Sequence, residues 1–213
     1  KLSYNAFTHC VNDYAILDSG SALGNNCGPL LIKKPNTILT KESKIAIPGK
    51  YTTANMLLNI AFPNHQNKVE ILFSEIENKV LEGKVDAGLI IHENRFTYEV
   101  KGLEKEKDLG EFWEEETGLP IPLGGIVTNR RLPLATQQKI ERVLRKSVEF
   151  AFENPNSSAD YVKFHAQEMG KEVVDAHIAL YVNNYSISLG EQGRKAVELL
   201  FEKSGKESKS IYV

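Results

Sequence analysis

One histidine in this 213-residue chain stands where α/β proteins place chemistry. His92 follows Ala87, Gly88, Leu89, Ile90 and Ile91, an apolar run without alternation that reads as a short buried strand, and it leads into the polar residues Glu93, Asn94 and Arg95. Ligands in such folds bind outside the carboxyl ends of strands, and an imidazole there can exchange a proton near neutral pH. If the backbone stays extended through Arg95, His92 and Asn94 share one side while Glu93 and Arg95 share the other. The residue types leave two readings open: a functional imidazole, or a structural histidine beside a Glu93–Arg95 surface pair.

A second feature is Pro48-Gly49-Lys50-Tyr51-Thr52-Thr53-Ala54, which joins a strand to a helix N-terminus. Unpaired N–H groups of a first helical turn attract anions, and threonine hydroxyls add donors. The pattern is neither a Walker loop nor a GxGxxG fingerprint, so a carboxylate-bearing ligand suits it better than a nucleotide phosphate. The competing reading is that Thr52 or Thr53 only caps the helix. The Gly-rich and Ser-rich stretch 19–26 reads as a connecting loop, and 181–186 as a polar, aromatic helix-to-helix turn. His9, His65, His165 and His177 lack HxxxH or HExxH spacing, so no metal is expected. No GxSxG occurs, and Cys10 and Cys27 form no CxxC pair and read as buried, reduced thiols.

The elements that position these residues follow from periodicity and punctuation. A helix is expected over 3–11 and strands over 14–17, 29–32 and 44–47. A helix over 55–62 is capped by Thr52 or Thr53 and stopped by Pro63; a strand over 69–73 precedes a helix over 75–81 capped by Ser74, and the strand 87–91 follows. This βαβαβ succession predicts a parallel sheet. Residues 101–118 are strongly charged, a solvated face with a short helix around Trp113, and 124–127 is strand-like. Helices are expected over 133–153, 157–169, 172–182 and 191–203. The order predicts two lobes with a cleft between them: a larger α/β lobe, 1–46 with 125–213, and a smaller inserted α/β lobe, 47–124.

Composition narrows the partners. With 41% hydrophobic and 25% charged residues and a formal net charge of -2, the chain has the balance of a globular protein and no basic surface for nucleic acid. No apolar stretch is long enough to span a bilayer and no signal-peptide pattern appears, so a cytoplasmic protein with a small-molecule partner is expected. The chain begins at Lys1 without an initiator methionine and reads as a fragment.

Four segments together, AGLIIHENRFTY at 87–98, PGKYTTA at 48–54, GLPIPLGGIVTNR at 118–130 and YVNNYSISLGEQGRKAV at 181–197, resemble the 1,4-dihydroxy-6-naphthoate synthases of the futalosine route to menaquinone. The similarity runs over nearly the whole chain in the same order. It implies a type II periplasmic-binding-protein-like fold, two α/β lobes around a cleft. It also implies conversion of cyclic dehypoxanthinyl futalosine to 1,4-dihydroxy-6-naphthoate and dihydroxyacetone, with no metal or organic cofactor. By the resemblance, His92 matches the general base, Thr53 and Ala54 a substrate-contacting pair, and Lys1, Leu2 and Ser3 a second contacting segment from the other lobe. Thr52 joins the substrate site from capping geometry. The chain departs from the family at its front, where members carry a Ser-Pro-x-Pro-Asn-Asp-Thr-Phe-like motif; without that segment the larger lobe is expected to lack strands and part of the cleft wall. The alternatives are a solute-binding module for a small carboxylate, which binds the family's substrate without turnover, and a chorismate dehydratase, which consumes chorismate.

Overall fold

The structure, a computed structural model, describes residues 1–165, 171–208 and 210–213, with the backbone alone at 92, 93, 171 and 173. In chain order its elements begin with β1 (Leu2–Ser3), α1 (Tyr4–Phe7), β2 (Tyr14–Ile16), β3 (Ala22–Gly24), β4 (Leu30–Lys33), β5 (Ile45–Ile47) and α2 (Thr53–Ala61). They continue through β6 (Lys68–Glu70), α3 (Ile76–Leu81), β7 (Ala87–Ile90), β8 (Glu104–Asp108), α4 (Leu109–Thr117), β9 (Ile121–Gly125) and β10 (Val127–Asn129). The chain closes with α5 (Leu134–Glu153), α6 (Ala159–His165), α7 (Lys171–Tyr181), α8 (Asn184–Ile187) and α9 (Gly190–Lys203). Two compact units result, Lys1–Gly24 with Gly124–Val213, and Asn25–Leu123. The first crossing thus falls at 24/25 and not at the expected 46/47. The sheet supplies the reason: β4 and β5 both belong to the five-stranded sheet β6-β5-β7-β4-β8, which a boundary at 46/47 would divide.

In the unit 25–123, β5 pairs in parallel with both β6 and β7, the ladder that two βα crossovers produce. β4 adds antiparallel to β7, and β8 adds antiparallel to β4. The strand alternation sorts side chains to two faces. Leu30, Ile32, Ala46 and Ile90 form one core with Ile76 and Val80 of α3 and with Val85, Tyr98 and Leu103. Leu31, Ile45 and Leu89, at alternate positions, are also buried, and α4 packs against β4 and β8. Gly88 is needed on the α3 face, because a Cβ there would come within 2.9 Å of Val80 Cγ2 and still nearer to Ile76 Cγ2.

Three local expectations change. Ser74 does not cap α3; it lies in a 3-10 turn, Phe73–Glu75, that runs directly into the helix. Part of the charged stretch 101–118 is a strand: β8, Glu-Lys-Glu-Lys-Asp, is an edge strand whose charges keep its open side in water. The chain after β7 is not extended, because His92–Phe96 forms a 3-10 turn and a second, Glu99–Lys101, follows.

In the other unit, β1 pairs antiparallel with β9 in the sheet β1-β9-β3, and β2 pairs antiparallel with β10. The stretch 19–26 therefore holds a strand, β3, as well as loop. Its helix α1 is shorter than expected, with Ser3 as N-cap. α9 buries Gly193, Ala196, Val197, Leu200 and Phe201, the i, i+3, i+4, i+7, i+8 stripe of a core-facing helix. Phe201 meets Phe7 with ring centroids 6.0 Å apart. Asp18 ties helices together, accepting from Arg145 at 2.9 Å, Arg194 at 2.8 Å and Ser188 Oγ at 2.5 Å. Within the expected helix 157–169, positions 166–169 lie outside the described residues. No helix among the described residues is long and apolar enough to cross a membrane.

Candidate active site

The ladder of the five-stranded sheet brings the two chemistry-bearing segments of unit 25–123 to one edge. β5 and β7 run parallel with Ile45 opposite Ala87 and Ala46 opposite Gly88, so their carboxyl ends emerge side by side. The loop to α2 leaves one, and the 3-10 turn beginning at His92 leaves the other. Leu30 of β4 lies opposite Ile90 and Asp108 of β8 opposite Leu30, so Gly28 and Asp108 share that edge; Glu70 shares it too, opposite Ile47. Carboxyl ends of parallel strands are the binding edge of α/β sheets because the connecting loops there are free to vary and helix N-termini point toward them.

The α2 entrance is built by its own sequence. Thr52 is the N-cap: its Oγ1 accepts Asn55 N–H at 3.2 Å and donates to Gly49 O at 2.8 Å. The capping reading of Thr52 therefore holds in the geometry. Thr53 is buried and donates its hydroxyl to Leu123 O at 2.7 Å, fixing the first turn of α2 to β9. Ala54, also buried, brings to this turn only a backbone amide and a methyl. Gly49 has φ +156, a left-handed conformation that spares a side chain where the chain turns from β5, and Lys50 N–H donates to Glu70 Oε2 at 2.9 Å. Asn55 Nδ2 donates to Lys50 O at 2.9 Å, whereas its buried Oδ1 has no hydrogen-bond partner among the described residues.

The His92 turn is held by residues remote in sequence. Asn94 Nδ2 donates to Glu77 Oε2 of α3, and Lys101 Nζ reaches the same oxygen at 2.6 Å. Arg95 donates to Gly28 O and lies 3.0 Å from Asp108 Oδ2. Asp108 also caps α4, its Oδ1 accepting Gly110 N–H at 2.7 Å and Glu111 N–H at 3.2 Å. Arg95 is thus committed to Asp108 and Gly28. The alternative reading, a Glu93–Arg95 surface pair, would take Arg95 to the surface, but its side chain is only 14% exposed. Burial, opposed by Arg95, pushes the neighbouring Cys27 thiol up to about 12. Tyr98, whose hydroxyl donates to Glu99 Oε1 at 2.9 Å, is likewise raised to about 12 by burial and by that carboxylate.

A family described as menaquinone biosynthesis matches residues 1–206. The chain belongs to that family. A relative from Thermus thermophilus named "1,4-dihydroxy-6-naphtoate synthase" is 42% identical over 201 residues, 94% of this chain and 74% of the relative. A relative of the same name from Streptomyces coelicolor is 40% identical over 212 residues, 97% of this chain and 75% of the relative. Among solved structures, a protein from Archaeoglobus fulgidus superposes with a TM-score of 0.89 at 35% identity, over 95% of this chain and 76% of that one. The ligand-binding component of an ABC-type import system from Staphylococcus aureus gives 0.64 at 13% identity, over 100% and 76%. That low identity carries the fold alone, an α/β fold of the solute-binding-protein type.

Of the residues expected at the site, Thr52, Thr53, Ala54 and His92 share the sheet edge just described. Lys1, Leu2 and Ser3 belong to the other unit, where Leu2 and Ser3 pair with Gly125 and Gly124 of β9 and Ser3 Oγ caps α1 by accepting Ala6 N–H at 3.1 Å. Sequence reasoning missed Glu77 and Asp108, left Asn94 without a partner and offered Arg95 only Glu93. Asp108 carried a usable signal, an acid immediately before a helix of mixed apolar and charged residues, the place of an N-cap. Glu77 carried none, since an acid in a short helix reads as a surface residue.

Proposed function

We propose that this chain is a cytoplasmic carbon–carbon lyase of menaquinone biosynthesis, which converts cyclic dehypoxanthinyl futalosine to 1,4-dihydroxy-6-naphthoate and dihydroxyacetone. Membership of the family, with relatives that bear the synthase name at 40–42% identity, is the observation that carries the reading. In this reading His92 is the general base. Imidazole is the side chain suited to exchanging a proton close to neutrality. The three-carbon fragment then leaves with cleavage of its carbon–carbon bond, and aromatisation of the new ring drives the loss.

The substrate carboxylate sits at the α2 N-terminus, where the backbone amides of the first turn and the positive end of the helix favour an anion. Thr53 and Ala54 contact it, and Thr52 holds the turn in shape. His92→Ala should lower dihydroxyacetone release about 10²–10⁴-fold while leaving the circular dichroism spectrum unchanged. Release at the wild-type rate by that variant would show that the base lies elsewhere. Binding of the substrate without turnover by the intact chain would overturn the lyase assignment itself.

A further inference from the structure

Glu77 is a buried carboxylate. It is 1% exposed on α3, between residues that pack the sheet, and its Oε1 has no hydrogen-bond partner among the described residues. An apolar side chain at such a place often serves stability as well or better, because a buried charge must recover its lost hydration. What Glu77 holds is specific. Its Oε2 gathers the Asn94 amide from the turn His92–Phe96 and the Lys101 ammonium, 2.6 Å away, from the turn Glu99–Lys101.

Asn94 is two residues beyond His92 in the same 3-10 turn and is itself buried. Fixing its side chain to a helix that packs on β7 fixes the rotation of that turn about the strand end. Without this bond the turn retains Arg95 on Asp108 and Gly28, so it stays attached but is anchored on one side only. We infer that Asn94, held by Glu77, is a positioning residue that aims the His92 turn into the site. This inference rests on the reading of His92 as the base.

A displacement of about 1 Å in a reacting group can cost on the order of 10²-fold in rate, so Asn94→Ala should lower kcat by roughly 10- to 100-fold with KM nearly unchanged. Lys101 still neutralises Glu77 in that variant, so folding should survive. Glu77→Gln, whose amide oxygen still accepts from Asn94, should keep most of the rate, and Glu77→Met should fold cooperatively yet turn over as slowly as Asn94→Ala. The deciding measurement is the double variant His92→Ala with Asn94→Ala, which should be no slower than His92→Ala alone because a positioning residue has nothing left to position. A further loss by the same factor in the double variant would make Asn94 merely structural, and a wild-type rate for Asn94→Ala would remove the inference outright. A wild-type rate for His92→Ala alone marks the distinct failure, that of the base assignment, and the inference falls with it.

Discussion

The two strand ends that share the sheet edge hold their chemistry in opposite ways. After β5, most side-chain bonds that shape the turn into α2 span three to five residues, Thr52 to Asn55, Thr52 to Gly49 and Asn55 to Lys50, while Glu70 and Leu123 each add one bond from farther along the chain. After β7, Asn94 reaches across 17 residues to Glu77, and Arg95 across 13 to Asp108 and 67 to Gly28. A binding element shaped mainly by neighbours takes most of its geometry as its helix forms. A proton-transfer element built from distant anchors acquires its geometry only once the sheet has closed, and it loses that geometry when any anchor fails. Binding tolerates small errors in position that proton transfer does not, which fits the heavier anchoring of the second element.

The comparison breaks first at Asp108, where the largest effect is expected. Its carboxyl is 3% exposed, pairs with Arg95 at 3.0 Å and caps α4. Asp108→Ala removes the cap and leaves a mostly buried guanidinium uncompensated, a loss of about 3–5 kcal/mol of stability by urea denaturation. Asp108→Asn retains a good cap and should recover part of that loss, leaving the cost of the broken charge pair. If Asp108→Ala costs no more than removal of the Thr52 cap, the long-range anchors are no weightier than the local ones.

Thr52 tests the other strand end. Thr52→Ala should cost about 1 kcal/mol, the usual value of an N-cap hydroxyl, and Thr52→Ser should restore nearly all of it. Because this turn is assigned to binding, KM should rise while kcat changes little. A fall in kcat comparable with that expected for Asn94→Ala would erase the division between a binding end and a reacting end.

The same division governs what the sequence made legible. The cap at Thr52, the stop at Pro63, the β5, β6 and β7 succession and the span of α9 all depend on spacing within a few residues, and their expected positions lie close to the observed ones. β8 was illegible because Glu-Lys-Glu-Lys-Asp carries no apolar alternation; its partner β4, more than seventy positions earlier in the chain, makes it a strand. The lobe boundary was displaced for a related reason. β4 belongs with β5 only because it pairs with β7, a contact that no local pattern announces. At the site, His92 was visible from its place after an apolar run, but the extended path drawn through Arg95 gave way to a 3-10 turn whose anchors, Glu77 and Asp108, lie in other elements.

The smallest expected effect reports on the long-range anchor directly. Cys27 precedes Gly28, whose carbonyl accepts from Arg95; the residue is 1% exposed and burial pushes its thiol pKa up to about 12. Only the thiolate reacts, and a thiol whose pKa lies well above the working pH is almost wholly protonated. An Ellman titration of the native protein should therefore label the half-buried Cys10 first and Cys27 slowly. Arg95→Ala should speed Cys27 labelling several-fold, while Thr52→Ala should leave it unchanged. The direction is informative, because Arg95 lowers the Cys27 pKa and its loss alone would slow the reaction. Acceleration can then come only from loosening of the segment that Arg95 holds, and equal labelling in Arg95→Ala and the unmodified chain would show that this anchor does not restrain it.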